Sequence, residues 1–211
     1  MSARLSHLLQ YRVGRNGEEG LRIADFLIDE QTRHVRYLVV DGGEWLPHRK
    51  LLISPHAITG VDNSQKLLRT ELDREQLEQS PQLDPHAPFS RSEEEKLASY
   101  YQWPMYWQAM SGEGITAMPA DTEQGMEDRE QAVRAELDEA EADSPLRSFA
   151  ELLHYRTRPS SGPSGEVEDA LADETTWEIT ALQIKQEGTT EEVSADQLHE
   201  IEWNSREVVL T

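Results

Sequence analysis

Cysteine is absent from the 211 residues. Its absence excludes disulfides, iron–sulfur ligation, thiolate zinc sites and cysteine nucleophiles, and removes any thiol signature of an oxidising compartment. Long apolar runs are also missing. No stretch approaches the ~20 residues needed to cross a bilayer, and Arg4 and His7 interrupt the Leu5, Leu8 and Leu9 cluster that would otherwise resemble a signal-peptide core. A soluble, cytoplasmic protein without direct membrane insertion is expected. Positive charge is scarce: 20 basic side chains face 41 acidic ones, for a formal net charge of -21, and the lysines are only Lys50, Lys66, Lys96 and Lys185. Such a balance repels phosphate backbones, so no nucleic-acid partner is expected without a basic patch, and the sequence has none. An acid-rich, lysine-poor surface stays hydrated when salt screens repulsion, which suits a salt-tolerant source.

Catalytic signatures are lacking too. Histidines 7, 34, 48, 56, 86, 154 and 199 show no H-x-x-x-H or H-E-x-x-H spacing. Ser54 is not in a nucleophile elbow, and neither Gly42-Gly43 nor Gly112-Glu113-Gly114 has the strand–glycine–helix setting of a phosphate loop. The expectation is a non-enzyme with no cofactor and no metal.

What is present is an internal repeat. Leu8-Leu9-Gln10-Tyr11-Arg12 matches Leu152-Leu153-His154-Tyr155-Arg156, and the same displacement of 144 aligns Asp25-Phe26-Leu27-Ile28-Asp29-Glu30 with Asp169-Ala170-Leu171-Ala172-Asp173-Glu174. It continues through Thr32/Thr176, Val35/Ile179, Leu38/Leu182 and Val40/Ile184. After a shortening of four residues, Ile53-Ser54 falls on Val193-Ser194, Ile58 on Leu198 and Val61 on Ile201. Two copies of one module follow, over about 5–75 and 147–211. Within each, runs rich in Ile, Val and Leu (21–29, 35–41, 51–53) alternate with turn chemistry such as Asp29-Glu30-Gln31-Thr32, predicting a hairpin, a third strand, a short capped turn at Ser54-Pro55, and a closing hairpin. Five or six short strands per copy predict a small barrel, since closure hides strand edges.

The expected fold class is therefore mainly β with an α-bearing linker: two small barrels related by duplication, at 1–80 and 146–211, joined by an acidic, helical or irregular segment at 81–145. After the first module, 73–80 is a helix candidate; within the linker, 92–103 is another, 81–90 is proline-rich and extended, 111–124 is irregular, and 126–142 is helix-permissive but too polar to bury a face.

The segments Ile23-Ala24-Asp25-Phe26-Leu27-Ile28-Asp29, Val35-Arg36-Tyr37-Leu38-Val39-Val40-Asp41 and Arg49-Lys50-Leu51-Leu52-Ile53-Ser54-Pro55 resemble the PRC-barrel domain. That domain is shared by the cytoplasmic part of the photosynthetic reaction-centre H subunit and by ribosome-maturation factors. With Ser80-Pro81, Pro88-Phe89-Ser90-Arg91 and the aromatic run from Tyr100 to Trp107, nearly the whole chain resembles stand-alone bacterial proteins carrying two such copies. The expected role is a non-enzymatic protein-interaction or adaptor module, and the alternative that the resemblance implies is an accessory to a photosynthetic electron-transfer complex. From these 211 residues, neither the H subunit's membrane anchor nor the basic character of an RNA-facing factor is expected.

Three groups of residues compete as sites. The pairs Asp25/Asp29 and Asp169/Asp173 could hold a metal for a hydrolase, but they occur in both copies beside turns, where carboxylates accept backbone N–H bonds. The loop 42–50, with Trp45, His48 and Arg49, occurs in the first copy alone, and the second has the shorter, acidic 186–192 in its place. An indole beside cations on a loop is hot-spot chemistry, or else Trp45 folds over its own barrel. Tyr100, Tyr101, Trp103, Tyr106 and Trp107 put five aromatics into eight residues, and each ring buries about 150–250 Å² when packed. A barrel flank, the other copy, a second chain in a homodimer or a protein partner must cover them.

Overall fold

The computed structural model describes residues 2–15, 20–44, 46, 47, 49–81, 90–107, 145–159 and 164–211. The predicted helix at 126–142, the irregular 111–124 and most of the extended 81–90 lie outside them, as do Trp45 and His48.

In chain order the elements begin with β1 (Ser2–Arg4), α1 (Leu5–Leu8), β2 (Arg12–Gly14), β3 (Leu21–Asp29) and β4 (Val35–Asp41). Next are β5 (Lys50–Ile53), a 3-10 turn (Pro55–Ala57), β6 (Ile58–Asp62), β7 (Leu67–Thr70), α2 (Arg74–Glu78) and α3 (Arg91–Tyr101). The C-terminal part holds β8 (Leu146–Ser148), α4 (Phe149–Leu152), β9 (Arg156–Arg158), β10 (Glu166–Asp173) and β11 (Ile179–Gln186). It ends with β12 (Thr189–Ser194), a second 3-10 turn (Ala195–Gln197), β13 (Leu198–Glu202) and β14 (Glu207–Leu210).

The protein is mainly β, with two mixed seven-stranded sheets whose main paths have the same order, β5-β4-β3-β2-β7-β6 and β12-β11-β10-β9-β14-β13. The local reasons are in the sequence. In β3 the buried residues run Leu21, Ile23 and then Phe26, Ile28, and the change of parity falls where Ala24 is an extra residue opposite β4. The second sheet carries its extra residue at Glu168, which is Ala24 displaced by 144, and buries Val167 and then Ala170 and Ala172. Further irregularities fall at Arg36 and Thr180 and at Thr59 and His199, again at equivalent places. Both sheets also contain one parallel pair, β2 with β7 and β9 with β14.

Among the described residues neither sheet closes. The end strands β5 and β6 are joined by the 3-10 turn that Ser54 caps by accepting from the His56 N–H, and β12 and β13 by the turn after Ser194. The expected ring of pairing is thus replaced by a turn at the seam. Where sequence reading placed an acidic loop at 186–192, a two-residue turn at Glu187 (φ 48°) and Gly188 (φ 85°) joins β11 directly to β12.

The seventh strand of each sheet comes from the other half of the chain. β1 pairs with β10, setting Ala3 opposite Ala172, and β8 pairs with β3, setting Arg147 opposite Ile28. The hairpin tips also meet. The Val35 N–H donates to the Trp177 carbonyl at 2.8 Å, the Ile179 N–H to the Arg33 carbonyl at 2.9 Å, and His34 bridges its own equivalent, Glu178. One apolar cluster includes Phe26, Tyr11 and Leu38 with Phe149, Tyr155 and Leu182. Residues 1–79 and 145–211 accordingly form one compact unit, and 80–144 a second.

In the second unit, α3 starts with a capping box: Ser90 accepts from the Glu93 N–H while the Glu93 carboxylate accepts from the Ser90 N–H. It ends at Gln102 in the left-handed region (φ 56°), which turns the chain back on the helix.

Candidate functional site

The repeated aspartates are engaged in holding the fold. Asp25 accepts from the Ser148 hydroxyl at 2.5 Å and the Ala150 N–H at 3.1 Å, and Asp169 from the Ser6 hydroxyl at 2.5 Å and the Ser6 N–H at 3.1 Å. Each therefore pins the exchanged segment of the other half. Asp29 accepts from the Gln31 and Thr32 N–H groups and pairs with Arg36 at 3.2 Å, while Asp173 accepts from Thr175 and Thr176. These are turn-closing carboxylates. Among the described residues no three acidic or histidine side chains converge as a cation site.

The base of the 42–50 loop is tight. Gly42 donates to the Arg49 carbonyl at 2.9 Å, and a Cβ there would lie 2.5 Å from the Leu46 carbonyl oxygen, so only glycine fits. The Arg49 guanidinium donates to the Glu78 carbonyl at the end of α2, 3.0 Å away. Of the loop's three candidates, Arg49 alone is placed, and it ties the loop to α2.

The aromatic segment packs in part against itself. Tyr101 and Trp103 stack at 4.2 Å because the left-handed Gln102 lies between them, and Tyr100 meets Tyr101 edge-on at 4.7 Å. Tyr106 and Trp107 meet edge-on at 4.9 Å, and the Arg91 guanidinium sits 4.4 Å from the Trp107 ring centroid. Beneath them lies Glu94, whose side chain is 0% exposed. Its oxygens accept from Arg91 at 3.2 Å and from the Tyr106 hydroxyl at 2.9 Å. Burial, then the Glu94 charge, pushes the Tyr106 hydroxyl well above the ordinary tyrosine range. Of the five aromatics only Tyr100 is exposed, at 37%, beside a shallow depression formed with Lys96 and Pro81. Glu94→Ala should therefore lower the stability of this unit by about 2 kcal/mol, since it leaves a half-buried arginine without its carboxylate. Urea unfolding followed by tryptophan emission measures this, and Glu94→Gln should recover part of the loss.

A cleft of about 580 Å³ that sequence reading missed lies along the last hairpin. One wall is the turn of the first half, with Glu30, Gln31 and Arg33, and the other is the unbroken run 198–205. Arg33 donates through Nη1 to the carbonyls of Ala195 (3.0 Å) and Leu198 (3.3 Å), and Arg147 pairs with Glu30 at 3.0 Å. Glu202 pairs with Arg158, and the Ser205 hydroxyl, followed by Arg158, holds its carboxyl below the usual range. The lining includes Trp203, edge-on to Tyr155 at 5.5 Å. The signal that could have found the cleft is divergence between equivalent positions: Arg33 against Trp177, Arg147 against Ala3, His199 against Thr59, Glu200 against Gly60, and Trp203 against Asn63. Compared with models of known protein families and with curated proteins, the sequence matches none.

Proposed function

We propose that the chain is a non-enzymatic protein-interaction module built from two duplicated PRC-barrel-like copies, working in the cytoplasm as an adaptor. The observation that carries the reading is the matched pair of sheets, whose strand order and irregularities recur at equivalent residues. A repeated scaffold whose shared carboxylates close turns and bind the halves together has its chemistry committed to folding. What differs between copies is then available for recognition: the 42–50 loop with Trp45, His48 and Arg49 in the first, and the joining segment with Tyr100, Tyr101, Trp103, Tyr106 and Trp107. The partner is another protein or a second copy of this chain. Affinity capture with mass spectrometry tests it, comparing the natural chain with a Trp45→Ala, Arg49→Ala double variant and with Tyr100→Ala. At least one partner should be lost from one variant while the melting temperature holds within about 2 °C. Identical capture by all three sinks the reading.

A further inference from the structure

The cleft beside β13 has three properties that together define an occupant. Its lining takes every residue of β13, Leu198–Glu202, and then Trp203, Asn204 and Ser205 of the turn that follows. Alternate residues of a strand line a face, so an unbroken run lines an edge. Among the described residues that edge is unpaired, because β13 ends its sheet and ladders with β14 alone. A strand edge bordering an open cleft offers backbone donors and acceptors to an extended chain.

The second property is the state of the charges. Arg147 is matched by Glu30, and Glu202 by Arg158, leaving Arg33 on carbonyl acceptors and Glu200 exposed and, among the described residues, without an ion-pair partner. Arg33 thus presents further N–H donors to a passing carbonyl, and Glu200 presents a carboxylate to a passing cation. The surrounding chain, at -21, favours the approach of positive segments.

The third is asymmetry. Where the first half has Arg33, the second has Trp177, drawn into the core at 6% exposure. Position 200 is Glu in the second half, and its equivalent is Gly60 in the first. The groups that make the cleft chemically distinctive are those in which the halves diverge, an argument that rests on the duplicated-module reading above.

We propose that this cleft binds an extended, basic peptide segment of a partner protein as an added strand along β13, with its backbone on the strand edge, a carbonyl on Arg33 and a lysine or arginine on Glu200. Trp203 and Ile201 provide apolar surface for alternate side chains.

The test uses the full chain and two acetylated, amidated heptapeptides, one alternating Lys and Val and the other alternating Glu and Val. Calorimetric titration should show binding of the Lys/Val peptide only. Hydrogen exchange should slow about tenfold or more at amides within 198–202, and not at 58–62 in the equivalent strand. Glu200→Lys should weaken binding about tenfold or more with an unchanged melting temperature. No slowing at 198–202, equal slowing at 58–62, equal binding of the acidic peptide, or full affinity in Glu200→Lys overturns the proposal. Failure here leaves the capture experiment with the Trp45, Arg49 and Tyr100 variants untouched, so the two readings fall separately.

Discussion

Phe149→Ala will cost the β unit about 3–5 kcal/mol and melt both of its sheets together. Phe149 belongs to α4 of the second half, yet its ring meets Phe26 of the first half edge-to-face at 6.3 Å, and both are 0% exposed. Truncation deletes a buried ring and leaves a cavity against strand β3, which cannot collapse without moving β8 and its pairing. At the equivalent positions the other half has Leu5 and Ala170, also fully buried, so bulk is distributed unequally between the two contacts. Leu5→Ala is therefore expected to cost less, about 2–4 kcal/mol. The decisive measurement is exchange of amides in β4 and β11 under mild denaturant. Both should lose protection in one step, and loss confined to β4 would mean that the halves unfold separately.

Asp169→Ala will cost about 3 kcal/mol, because it removes a buried acceptor from the Ser6 hydroxyl, the Ser6 N–H and the Ala170 N–H at once. Asp25→Ala strips the Ser148 hydroxyl and the N–H groups of Phe26 and Ala150 in the same way. The Asp25 carboxylate is more accessible than the nearly buried Asp169, so its loss should be the smaller of the two. A double-mutant cycle of Asp169→Ala with Ser6→Ala should return a coupling of about 1 kcal/mol or more. Coupling near zero would show that the carboxylate does not hold the exchanged segment.

Much of this was legible before any coordinates. The hairpin 21–41, the strand at 51–53, the Ser54 and Ser194 caps and the helices near 74–78 and 91–101 follow from alternation, turn residues and capping chemistry, all of which are local. The turn-closing use of Asp29 and Asp173 was legible as well, because each lies beside a turn that needs acceptors, whereas the hold of Asp25 and Asp169 on Ser148 and Ser6 of the other half was not. The exchange of β1 and β8 was not. Three residues such as Ser2–Arg4 carry no pattern, and a strand's partner is a property of tertiary geometry that neither composition nor periodicity encodes. The cleft stayed hidden for the same reason: Arg33 and Glu200 are 167 positions apart in the chain, and only the meeting of the hairpin tips sets their segments on facing walls.

The crossed strands also impose a timetable on synthesis. Ser2–Arg4 is translated well before its docking partner Leu171–Asp173, and β3 must likewise wait for Leu146–Ser148. Until the second half is made, the nascent first half therefore has a vacant sheet margin at β3, the condition in which chaperones engage emerging polypeptides.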